Sequence, residues 1–249
     1  MKTVSPHALY ETKISSGELR PDAGQADAVM HLENLFEVLQ PAQHSTRVGP
    51  IRRLFGRGKQ AKDKVKGLYL YGGVGRGKTM LMDMFAKAAK PLNSQRFHFH
   101  DFMVNAQNEV QAARQAGHAD PIYSATEKLM AGGQIICFDE MEVRDIADAM
   151  IIRRLFLAMW DRGMVLVTTS NRSPDLLYLD GLHRDRFLPF IADLNMRLDI
   201  HEIASGQDWR KVFLASVSGW HLQPAASDAD VGAELDQIFS TLGGGSEIS

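Results

Sequence analysis

Residues 72–79 read GGVGRGKT and satisfy the pattern G-x-x-x-x-G-K-[ST]. Glycines Gly72, Gly73, Gly75 and Gly77, interleaved with Val74 and Arg76, let successive backbone N–H groups turn inward around phosphate oxygens with no Cβ in the way. The helix that must follow adds positive partial charge at its first turn, around Lys78, Thr79 and Met80. Lys78 supplies a full cation to the outer phosphates of ATP, and the Thr79 hydroxyl is a ligand for Mg²⁺.

Holding a triphosphate would suit a switch or a kinase as well as a hydrolase, so a second site must decide. IICFDE, residues 135–140, is an apolar strand ending in two carboxylates. Asp139 at the strand terminus is placed to hold Mg²⁺ through water. Glu140, one residue on, faces the other way and can polarise the water that attacks the γ-phosphate. MVLVTTSN, 164–171, ends in Asn171, which either orients that water or is strand-end turn chemistry. In GLHRDRFLPF, 181–190, Arg184 and Arg186 are candidates for an arginine that reaches a neighbouring subunit's nucleotide; the alternative is surface pairing with Asp180, Asp185 or Asp193. The sequence does not choose between the two arginines.

These groups need a scaffold with loops at one end. Short apolar runs at GLYLY, RFHFH, QIICF, MVLVTT and MRLDI alternate with helical patterns at KTMLMDMFAKAA, DFMVNAQNEVQAARQ and DIADAMIIRRLFLAMW. Strand and helix in alternation read as an α/β fold, a five-stranded parallel sheet with helices on both faces. The strand MVLVTT is expected between the phosphate strand and the carboxylate strand. Ahead of this core, Val29, Leu32, Leu35, Phe36 and Leu39 recur at helical spacing. Eight basic residues between Arg47 and Lys66 face a single acid, Asp63, as a solvated linker or a patch for an anionic surface. A further helix is expected over 229–242, before a glycine-rich tail. The domain reading is therefore an N-terminal helix and basic linker over 1–66, an ATPase core over 67–203, and a further helix with a flexible tail over 204–249.

Composition bounds the partners. The 249 residues carry 28 basic and 30 acidic side chains, a net charge of −2, so nothing global marks a nucleic-acid binder. One cysteine, Cys137, forms no internal disulfide, and the N-terminus lacks the order of a signal peptide, which points to the cytoplasm. No apolar run reaches the ~20 residues that span a bilayer, so membrane contact is at most peripheral.

Weaker signals are His98 and His100, which alternate on an expected strand as metal ligands sometimes do, although packing is the plainer reading. Phe102 and Met103 follow that strand as a substrate-gripping loop or as the start of an amphipathic helix. Cys137 reads as inert core, and Met80, Met82 and Met84 as helix and core filling.

Taken in order, GLYLYGGVGRGKT, RFHFHDFM, CFDEMEVRDIADAMIIRRLF, VTTSN and GLHRDRFLPFI resemble the ZapE family of bacterial cell-division ATPases and its mitochondrial AFG-one-like relatives, from about residue 8 to about 240. The resemblance implies an AAA+ P-loop NTPase with strand order 5-1-4-3-2, ATP hydrolysis with Mg²⁺, homo-oligomers, and a protein partner. That partner would be the division protein FtsZ or a membrane-protein client in quality control. Family members continue well past the position that matches Ser249, so the C-terminal helical lid is expected to be incomplete. The Asp22-to-Gln25 pattern resembles the family's N-terminal element, a region that borders adenine in this fold. Two other readings stay open: a nucleotide-gated binding module with little turnover, and a helicase-loader-like ATPase that lays the basic segment on DNA.

Overall fold

The computed structural model describes residues 4–40 and 65–203. The basic run from 47 to 64, the helix expected over 229–242 and the glycine-rich tail lie outside these residues.

Helix α1 (Pro6–Ser15) starts where Ser5 accepts from the Ala8 N–H and Pro6 fills the first helical position, where its missing N–H costs nothing. Asp22 caps α2 (Ala23–Leu39) in the same way, its carboxylate accepting from Gln25 N at 2.9 Å. The apolar face read from the sequence is buried, with Val29, Leu32 and Phe36 fully so. Each such side chain contributes about 1.5–3 kcal/mol relative to exposure. The core proper runs β1 (Gly67–Tyr71), α3 (Lys78–Ala89), β2 (Ser94–His98), α4 (Phe99–Gln115), α5 (Pro121–Leu129), β3 (Ile135–Asp139), α6 (Ile146–Asp161), β4 (Val165–Ser170), α7 (Arg184–Arg197) and β5 (Leu198–Glu202).

All strand pairs are parallel, and the sheet order is β2-β3-β4-β1-β5. That is 5-1-4-3-2 read from the other edge, with β4 between the phosphate strand and the carboxylate strand as expected. Strand residues alternate between two cores. Tyr69, Ile136, Phe138 and Leu166 face α4 to α7, where Phe138 meets the rings of Phe97, Phe99, Phe102 and Phe156. Leu68, Leu70, Cys137 and Val167 face α1 to α3. The two edges are short: β2 and β5 have five residues each, and β5 exposes Asp199, Ile200 and Glu202.

Three local expectations are refined. The strand expected at RFHFH lies two residues earlier; pairing begins at Ser94 opposite Ile135 and ends at His98 opposite Asp139, and helix α4 starts at Phe99. His98 and His100 are thus a helix cap and a first-turn residue, both exposed. Of the two readings of Phe102 and Met103, the amphipathic helix holds: both are buried within α4 and pack the core. Arg184 and Arg186 lie in the first turn of a helix, α7, whose sequence pattern is interrupted by Pro189.

Candidate active site

The carboxyl ends of β1, β4 and β3 are sewn together by hydrogen bonds. Gly72 N donates to Ser170 O at 3.3 Å, and Met141 N donates to Thr169 O at 2.7 Å. Glu140 N reaches the Thr169 hydroxyl at 3.2 Å, and the Ser170 hydroxyl donates to Met141 O at 2.9 Å. On the other side Ile203 N donates to Tyr71 O at 2.7 Å. The buried Tyr69 phenol, held protonated by desolvation, donates to Arg172 O at 2.9 Å and pins the turn that carries Asn171 onto β1. The glycine loop, the acid pair and Asn171 therefore emerge from adjacent strands.

The loop itself turns through left-handed residues at Gly75 (φ 85°) and Gly77 (φ 81°), where an L side chain would be strained. A Cβ at Gly77 would stand 3.0 Å from the Gln25 amide nitrogen, and one at Gly72 would stand 3.1 Å from Ile203 O. Gly73 opens on free space. Lys78 opens α3 and is 9% exposed, its ammonium donating to Gly72 O (2.6 Å) and Gly73 O (2.7 Å). No side chain caps α3; an uncapped helix start after a glycine loop is the arrangement that suits an anion. Thr79 and Val74 are exposed, and Met80 is half-buried beside Gly77 and Gln25.

Asp139 is 4% exposed. One of its oxygens accepts from Arg96 Nε at 2.7 Å; the other, Oδ1, is buried without a hydrogen-bond partner among the described residues. A buried carboxylate oxygen left unsatisfied is costly, so this one suits a cation or its water. The same Arg96 also pairs with Asp83 on α3. Burial alone would lower its pKa, but the two carboxylates outweigh burial and raise it. Glu140 follows in a left-handed backbone conformation (φ 54°), exposed at the strand end. Beside it lies an open cavity of about 480 Å³ lined by His98, His100, Asp139, Glu140, Glu142 and Asp148.

Asn171 is exposed just past β4. The two arginines differ. Arg184 donates to Asp175 O at 2.6 Å and so is tied to its own chain, whereas Arg186 is exposed with no side-chain partner among the described residues. The pairing considered with Asp193 does not form, because Arg153 holds that carboxylate at 2.7 Å. Burial pushes the Cys137 thiol up to about 12, which keeps it inert as expected. Sequence reasoning missed Arg96; the signal was a charge inside an apolar strand run, which demands a buried partner.

A five-stranded parallel sheet in this order, with a phosphate loop after β1 and an acid pair after β3, defines a P-loop NTPase of the AAA+ type. The chain belongs to the AFG1-like ATPase family, whose model matches residues 4–249. It is 37% identical over 254 residues to the cell division protein ZapE of Escherichia coli strain K12, covering 98% of this chain and 66% of that protein. It is 31% identical over 277 residues to lactation elevated protein 1 homolog B of Danio rerio, covering 94% of this chain and 55% of that one. The chain thus spans less than two thirds of the length of these relatives. Among solved structures, a DNA replication initiation factor shares the fold, with a TM-score of 0.50 and 14% identity over 88% of this chain and 61% of that one. No helix among the described residues is long and apolar enough to cross a membrane.

Proposed function

We propose that the chain hydrolyses ATP with Mg²⁺ as a homo-oligomer and uses the cycle to act on a protein partner in bacterial cell division. One observation carries the reading: Asp139 Oδ1, buried and unpartnered among the described residues, stands at the end of a strand whose neighbour but one delivers the glycine loop and Lys78. Residues 72–80 hold the triphosphate through backbone N–H groups and the Lys78 ammonium. Thr79 and Asp139 would hold a magnesium ion, which would supply positive charge against the triphosphate. Glu140 takes the proton from the attacking water, and Asn171 orients that water. Arg96 is a positioning residue that fixes the Asp139 carboxylate by one oxygen. Arg186, rather than the tethered Arg184, reaches a neighbouring subunit's nucleotide.

Cell division comes from the name of the E. coli relative. Within it we assign an FtsZ-like polymer as the partner, with membrane-protein clients as the competing choice. In an equilibrium titration with ATP read by calorimetry, Lys78→Ala should lose ATP binding by roughly 100-fold or more, since charge-assisted hydrogen bonds contribute about 1.5–3 kcal/mol each. Retained affinity would remove the cradle assignment. Binding without turnover in the unaltered chain would leave the nucleotide-gated module. Mixing Arg186→Ala subunits with Lys78→Ala subunits should restore part of the activity, and an absence of rescue at every ratio would return Arg186 to a role within its own subunit. Co-sedimentation with FtsZ polymers in ATP against ADP tests the partner.

A further inference from the structure

On the face of the sheet that carries α1 to α3, helix α2 packs over β1 and reaches edge strand β5 through three side chains that nothing in the nucleotide reading uses. Asp27 and His31 are four residues apart on α2 and so share one face of it. His201 comes from β5. One ligand atom from each of the three lies within 4.8 Å of the others. The His201 and His31 rings sit 4.2 Å apart at 33°. His201 Nε2 is 3.6 Å from the Asp27 carboxylate, too long for a hydrogen bond, and that nitrogen is buried with no hydrogen-bond partner among the described residues. A buried ring nitrogen left in this way is destabilising unless something takes its lone pair or its proton.

We propose that Asp27, His31 and His201 form a site for a divalent transition-metal ion of the zinc type, clamping α2 to strand β5. Two imidazoles and a carboxylate are a borderline-soft set that suits zinc or cobalt(II) and not magnesium. Zinc with bonds near 2.0 Å places its ligand atoms ~3.3 Å apart, so the cluster must contract. The Asp27 side chain, 65% exposed, is free to swing inward, while His201 at 14% is already fixed by burial. Three protein ligands leave the fourth position to water. The clamp joins distant parts of the sequence: α2 carries Gln25, whose amide donates to Arg76 O at 3.4 Å in the phosphate loop, and β5 runs into Ile203, whose carbonyl abuts Gly72.

The test titrates zinc chloride alone into the chelator-treated 249-residue chain, without nucleotide, by calorimetry, and repeats it with cobalt(II) read by visible absorption. The expected result is one tight site whose affinity falls ~100-fold or more in His31→Gln and in His201→Gln, each variant retaining the parent's far-UV circular dichroism. At 100 times the dissociation constant, zinc should raise the melting midpoint by roughly 5–10 °C, a shift lost in both variants. Asp27→Asn, on the exposed helix face, gives the same readout if His201→Gln does not fold. The chain has nine histidines, so binding that survives in all three variants comes from elsewhere and overturns the proposal, as does an absence of binding in the parent chain.

Discussion

The ends of β1 and β3 solve one problem in opposite ways. Both strands stop at the site and both chains must leave in a sharp turn through left-handed backbone. After β1 that conformation falls on Gly75 and Gly77, where it is free of strain and leaves main-chain N–H groups uncovered. After β3 it falls on Glu140, for which the left-handed region costs about 1–2 kcal/mol. The difference separates two kinds of chemistry. Where the main chain is to do the binding, side chains are dispensable; where a carboxylate is needed, strain is tolerated and held by the Thr169 and Ser170 bonds around it.

The sharpest way to break this comparison is Glu140→Gln. It keeps the backbone and removes the proposed base, so turnover should fall by about 10²–10⁴ while ATP affinity stays near that of the parent; equal turnover in a phosphate-release assay would strip Glu140 of that role. Gly77→Ala transfers the strain of β3 to β1 and sets a methyl group 3.0 Å from the Gln25 amide. It should lower stability in a urea titration by about 1–2 kcal/mol and weaken nucleotide binding as well. Glu140→Gly does the reverse, relaxing the turn. Stability should rise by up to about 1 kcal/mol while turnover collapses as it does in Glu140→Gln, and a variant less stable than the parent would mean that the carboxylate and not the turn sets the conformation.

The smallest effect concerns Asp148, at the wall of the acid cavity. Burial raises its pKa, against the opposing hydrogen bond from Gln107 at 2.6 Å. A carboxyl whose folded pKa is raised adds stability that is fully present below its unfolded pKa and is lost as pH rises through the folded pKa. Asp148→Asn should therefore be slightly more stable than the parent at pH 7, and the advantage should vanish in acid below the ordinary carboxylate range. Thermal melts across that range measure it.

The strands were legible because a parallel sheet buried on both faces needs unbroken apolar runs, and GLYLY, IICF and VLVTT are such runs. The phosphate loop was legible because its chemistry dictates residue types in consecutive order. What escaped was whatever depends on contacts distant in sequence. Arg96 acquires its place only when β2 pairs with β3 and α3 folds back, bringing Asp83 and Asp139 to it. Helix α5 has only nine residues, too few turns for its period to stand out, although Asp120 and Pro121 mark its start. Ser5 and Pro6 mark α1 in the same manner but read equally as a turn. Helix α7 was hidden by Pro189 inside it. Gln25 was noticed only for its likeness to a family element; its contact with Arg76 spans 51 residues of sequence.

The sheet's margins have a consequence for assembly. Strands of five residues, one of them displaying Asp199 and Glu202 to solvent, are poor templates for another chain's backbone. In the proposed oligomer, copies of this protein would then meet through side chains on loops and helices, such as those around Arg186, and not by prolonging the ladder. Contacts of that kind can loosen and re-form at each turn of a chemical cycle, which a shared hydrogen-bonded ribbon could not do.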